Sequence, residues 1–154
     1  MSEPTFFDRL RTHYLAYSPH MAECDLRIAD LSGESVTVSL PYREDWLGDA
    51  ETGRLNPGVI TMLVDSTAGL AVLAHAGQRE PIATLDLRMD YLRPAFRGDD
   101  VHCRASCFRL TTSIAFVRAT VWQADEAEPI ASAQLVFMRS SAPRPGQVPA
   151  GTTA

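Results

Sequence analysis

Residues 54–77 read RLNPGVITMLVDSTAGLAVLAHAG, and this stretch decides the fold. Asn56 is a favoured N-cap and Pro57 suits the first helical position, so Asn-Pro-Gly starts a helix. Val59, Ile60, Met62, Leu63, Val64, Leu70, Val72 and Leu73 then surround the axis, the pattern of a helix buried on every side. One acid interrupts it. Asp65 follows Gly58 by seven residues, two turns, so both project to nearly the same face. Ser66, Thr67 and Gly69 leave space beside it. A lone acid in a helix more often faces solvent or caps a neighbouring backbone group. In this setting a carboxylate is worth its desolvation only if it performs chemistry or holds a polar ligand. The first-turn N–H groups at Gly58 and Val59, with the positive end of the helix dipole, form a natural site for an oxyanion.

Working outward, alternation replaces helical spacing. Cys24, Leu26 and Ile28 alternate with polar residues over 24–31, and Val36, Val38 and Leu40 share one face of the next run. Ser32-Gly33 reads as the turn between them. The stretch REDWLGDAETGRLN is polar and reads as a loop into the helix. Four alternating runs follow the helix. ATLDLRMDYL sets Ala83, Leu85, Leu87, Met89 and Tyr91 on one face and Thr84, Asp86, Arg88 and Asp90 on the other. The next three set Val101/Cys103/Ala105/Cys107, Ala115/Val117/Ala119/Val121 and Ala131/Ala133/Leu135/Phe137 inward. Small Ala and Cys side chains there leave room for the thick helix to lie across a sheet. Phe6, Phe7, Leu10, Tyr14 and Leu15 predict an amphipathic first helix over 4–18. The result is an α+β fold, a predominantly antiparallel sheet wrapped around a central helix with an N-terminal helix. A single domain is expected over 1–140, with a Pro/Gly/Ser/Thr-rich disordered tail at 141–154.

Composition excludes several functions. The chain has 154 residues, a net charge of -5 and 14 basic residues, every one of them Arg. Nucleic-acid binding needs concentrated positive charge and is not expected, and the absence of Lys removes Schiff-base chemistry. Cys24, Cys103 and Cys107 lack CxxC spacing, and His13, His20, His75 and His102 show no ligand spacing, so neither disulfides, a metal nor a cofactor is expected. His75 reads as a partner of the helix C-terminal dipole. No serine-hydrolase elbow occurs. With no signal peptide and no run of ~18 uninterrupted apolar residues, the sequence reads as cytoplasmic, with no membrane partner.

NPGVITMLVDSTAGLA, followed by ATLDLRMDYLRPA and GDDVHCRA, resembles the hotdog-fold thioesterases of the PaaI-like (phenylacetate-pathway) acyl-CoA thioesterase group. The resemblance covers roughly residues 35–139, most of the chain, and is carried by the G-x6-D helix and the D-hydrophobic-R-x-D-Y-L-R-P strand together. It implies a homodimer or homotetramer with acyl-CoA bound at the subunit interface, and an acid at the Asp65 position acting as nucleophile or general base. The family usually has His-Gly-Gly where this chain has Asn56-Pro57-Gly58. Pro57 has no N–H to donate, and Asn56 can offer a side-chain donor but takes up no proton at neutral pH. Ala50 stands where the family often has a water-orienting Asn. Thr84 falls where a Ser or Thr hydroxyl often assists, although its parity groups it with the outward residues. Arg88, Arg93 and Arg97 could meet the phosphates of coenzyme A, or simply form a solvated strand face. The expected function is acyl-CoA thioester hydrolysis by Asp65, with Asn56, Gly58, Val59 and Thr84 completing the site. The alternative is a non-catalytic acyl-CoA or acyl-carrier binding protein. A hotdog enoyl-CoA hydratase would need a His paired with the acid.

Overall fold

The computed structural model describes residues 3–140; the expected tail at 141–154 lies outside them. Helix α1 spans Phe6–His13, α2 Pro19–Glu23 and α3, the central helix, Pro57–Ala76. The strands, in chain order, are β1 Arg27–Leu31, β2 Val36–Leu40, β3 Leu47–Asp49, β4 Arg54–Leu55, β5 Ile82–Tyr91, β6 Val101–Leu110, β7 Ile114–Trp122 and β8 Ala131–Arg139. Helix α3 starts as its sequence dictates, with the Asn56 side chain capping it and Pro57 at its first position. It ends at Gly77, whose φ of +66° is the left-handed conformation that glycine adopts without steric cost. By length and apolarity α3 could cross a membrane, but 67% of that window is buried inside the fold.

The main sheet is antiparallel in the order β1-β2-β6-β7-β8-β5. Helix α3 lies chiefly over β6, with β2 and β7 beside it. Close approach is possible because the inward positions there are small or β-branched: Cys103, Ala105, Ala115, Val117, Ala119, Ala131 and Ala133 are all buried. On the helix side Ala68, Gly69 and Ala71 match them. Burying this apolar surface is the main stabilising term. β5 is an edge strand, and the flank of α3 next to it stays open: Gly58 is exposed, and Val59, Thr61, Met62 and Asp65 are half-buried. Asp65 is therefore not the deeply buried acid that an all-round apolar helix implied.

Three expectations about the elements need correction. The helix expected over 4–18 stops at His13, followed by a 3-10 turn and then α2. Pro19 disfavours helical backbone at Ser18, which is extended and caps α2 instead. The strand expected from Cys24 begins only at Arg27. Cys24 caps α2 and Asp25 takes a left-handed φ of 54°, though Cys24 and Leu26 are buried as their alternation suggested. The loop into α3 contains a 3-10 turn at Glu44–Trp46 and the small β3–β4 sheet.

The fourth correction concerns β5. Its pairing with β8 shifts register between Thr84 and Asp86, so Leu85 is an extra residue. The bulge flips parity upstream of it. Thr84 pairs with the inward Phe137 and faces α3, while Leu85 is turned out and 56% exposed.

Candidate active site

The bulge brings Thr84 to Asp65. Its hydroxyl donates to Asp65 Oδ1 at 2.8 Å, which fixes the carboxylate's orientation, while Oδ2 accepts no hydrogen bond from any described residue. The pair sits on the open flank between α3 and β5. A half-buried carboxylate held by one donor, with a second oxygen free, can accept a proton from water or attack an electrophilic carbon.

One helical turn further on lies Tyr14, a residue that the sequence marked only as part of an amphipathic helix. Its hydroxyl donates to the Ser66 carbonyl at 3.0 Å. Burial, and then the nearby charge of Asp65, push this phenol above its ordinary range, so it stays protonated as a donor. Its position beside Asp65 has no local sequence signal, because it depends on how the N-terminal segment docks on α3.

Two turns before Asp65, the helix start is occupied by its own cap. The Gly58 N–H donates to Asn56 Oδ1 at 2.8 Å, and the Val59 N–H donates to the Asn56 carbonyl at 3.1 Å. The Asn56 amide nitrogen donates no hydrogen bond to any described residue. Beside it the Tyr91 hydroxyl donates to the Pro57 carbonyl at 2.9 Å and lies 2.9 Å from the Thr61 hydroxyl. Asn56, Pro57 and Tyr91 border a cleft of about 610 Å³, lined also by Arg54, Arg93, Ile60 and Leu92.

The three arginines fall in different places. Arg93 borders that cleft and pairs with Glu128 at 2.5 Å. Arg88, opposite Gln134, is on the outer sheet face and pairs with Asp90 at 3.2 Å. Arg97 braces the β3–β4 turn, donating to the Ala50 carbonyl at 2.6 Å. It packs so closely on Gly53 that a Cβ there would lie 2.9 Å from its guanidinium nitrogen Nε. Arg54, which sequence reading passed over, also borders the cleft; its place before the helix cap was the available signal. His75 reaches the Gly33 carbonyl at 3.0 Å through Nδ1.

An antiparallel sheet around a central helix, with a carboxylate halfway along that helix, defines a hotdog-fold protein. Residues 52–130 match the thioesterase superfamily; the chain belongs to that superfamily, as a PaaI-like member. A Pseudomonas aeruginosa protein of known crystal structure is 33% identical, with a TM-score of 0.78 over 88% of this chain and 99% of that one. A mutant of the phenylacetic acid degradation protein PaaI from Thermus thermophilus is 28% identical, with a TM-score of 0.69 over 80% of this chain and 100% of that one. A curated Halobacterium salinarum protein named "putative esterase" is 32% identical over 98 residues, 61% of this chain. The chain matches 63% of that relative's length, a little under two thirds. Superfamily membership and the esterase-named relative support a function of thioesterase type.

Proposed function

We propose that the protein hydrolyses acyl-CoA thioesters, with Asp65 as nucleophile or general base. The observation that carries this reading is the Asp65–Thr84 pair, 2.8 Å apart, on the open flank of the central helix in a thioesterase-superfamily fold. As a base, Asp65 takes a proton from water while the water oxygen attacks the thioester carbon. The carbonyl electron pair becomes an oxyanion, and its collapse breaks the C–S bond. Sulfur leaves as thiolate and recovers the proton from Asp65.

The oxyanion needs a donor. The Gly58 and Val59 amides are engaged with Asn56, which leaves the Asn56 amide nitrogen as the donor free to meet it. Asn56 lies more than two turns from Asp65, and the helix rise separates even Gly58 from Asp65 by roughly 10 Å. No single carbonyl reaches both within one chain. A second copy related by a two-fold axis, with its α3 antiparallel to the first, sets the helix start of one copy beside Asp65 of the other. The edge of β5, unpaired among the described residues, and the open flank of α3 suit that pairing. We therefore place the site between two chains of a homodimer, the minimal assembly that completes it. Arg93 and Arg54 at the cleft are the candidates for the coenzyme A phosphates.

Released thiol, followed over short, long and aryl acyl-CoAs, tests the reading together with Asp65→Asn. We expect hydrolysis of at least one class and a loss of ~10²-fold or more in the variant. Unchanged kcat/KM in Asp65→Asn would overturn the role of Asp65. The prior engagement of both helix-start amides favours a second reading, acyl-CoA binding without turnover. Tight binding with no thiol release from any substrate would select it.

A further inference from the structure

The face of α3 that carries Asp65 continues through Gly69 to Leu73, and what covers Gly69 comes from the N-terminal segment. The Tyr14 hydroxyl rests over it, held by the Ser66 carbonyl at 3.0 Å. A Cβ at position 69 would lie only 2.7 Å from that hydroxyl and 3.5 Å from Ile82 Cδ1 on β5. Glycine in a helix interior is unfavourable relative to alanine; here it makes room for the phenol. Tyr14 and Ile82 thus both close on Gly69, between α3 and β5, one helical turn beyond Asp65. Behind them lies a separate cavity of about 500 Å³, with Leu10, Met21, Leu73 and Ile82 on its apolar side and Arg9, His13, Arg79 and Glu80 on its polar one. Tyr14 borders it as well.

We propose that Tyr14 is the end wall of the acyl-binding groove and sets the length of acyl group that the protein accepts, with the cavity behind it closed off from Asp65 in the native protein. This rests on the reading of Asp65 as the hydrolytic centre. From Asp65 to Gly69 the helix rises roughly 6 Å, which suits a short acyl chain, so the substrate class is short-chain acyl thioesters. Removing the ring joins the groove to the cavity, whose apolar side would take a longer chain. Removing only the hydroxyl leaves the wall standing.

The test has two readouts. In hydrolysis, the ratio of kcat/KM for decanoyl-CoA to that for butyryl-CoA is compared in the native protein, Tyr14→Phe and Tyr14→Ala. We expect at least a tenfold rise in Tyr14→Ala and an unchanged ratio in Tyr14→Phe. In binding, non-hydrolysable S-alkyl-CoA thioethers of rising length are titrated calorimetrically. Native affinity should stop rising after a few carbons. In Tyr14→Ala it should keep growing by about fourfold per added methylene, the gain expected from burying each one. If both variants lose stability but leave the ratio and the length dependence unmoved, Tyr14 only fastens the N-terminal segment and the proposal falls. The binding series reads the wall without turnover. Hydrolysis that persists in Asp65→Asn would therefore overturn the catalytic reading while the binding series decides the end wall separately.

Discussion

Asn56 serves two ends with one amide. Its Oδ1 caps α3 through the Gly58 N–H at 2.8 Å, and its nitrogen is the donor assigned to the oxyanion. Asn56→Asp separates the two roles. A carboxylate caps a helix as well as an amide does and sits favourably at the positive end of the dipole, so thermal stability should hold or rise. The donor is lost, and kcat should fall by ~10² to 10³. Thermal melts and thiol release on the same preparation check this; an active Asn56→Asp protein would move the oxyanion site elsewhere. Asp65→Asn should likewise leave the fold intact, since Thr84 can still donate to an amide oxygen at the same position. Both residues were legible in sequence, one as a helix cap and the other as an acid in an apolar helix. The Tyr14 hydroxyl was not, because a phenol 52 residues before Ser66 shows nothing of the backbone it will meet.

Strand β5 carries the element-level lesson. ATLDLRMDYL alternates without a break, and its alternation assigns Leu85 inward and Thr84 outward. The bulge reverses both, since one extra residue flips every side chain on its upstream side. β5 is also fastened at its start. Glu80 takes Arg139 Nε at 2.5 Å and Nη2 at 3.0 Å, with side-chain exposures of only 5% and 12%, and Arg139 also donates to the Thr111 carbonyl. The hydrogen bonds from Arg139 hold the Glu80 carboxyl below its ordinary value of 4.5, against the opposing effect of burial and with further help from Gln78. A carboxyl lowered in the folded state contributes stability that is complete above its unfolded value and lost as pH falls through the folded one. Glu80→Gln should therefore cost roughly 2 kcal/mol near pH 7, between the surface and buried limits for ion pairs. The gap from the native protein should begin to shrink as the pH falls below 4.5 and close as it passes through the lowered folded-state value. Urea unfolding across that range checks it; a gap that is constant with pH would assign the loss to packing alone.

For the whole molecule the decisive quantity is the roughly 10 Å between helix start and Asp65. If the site joins two chains, Asn56→Asp and Asp65→Asn proteins, each inactive alone, should complement when refolded together in equal amounts. Random pairing makes half the dimers mixed, each with one native site, so activity should return to about a quarter of the native value. Activity that stays at the level of the separate variants would place Asp65 and its donor in the same chain. Sequence by itself determined the fold class, the limits of α3 and the inward faces of β2, β6, β7 and β8, because caps and hydrophobic periodicity are local properties that each segment carries alone. It also singled out Asp65, since an acid stands out in an apolar helix. Tertiary structure decided which hydroxyl orients that acid, what rests on Gly69 and which arginines stay near the cleft. Those outcomes depend on where a bulge falls and on how distant segments dock, which is settled by the pairing of β5 with β8 and by the packing of the N-terminal segment on α3.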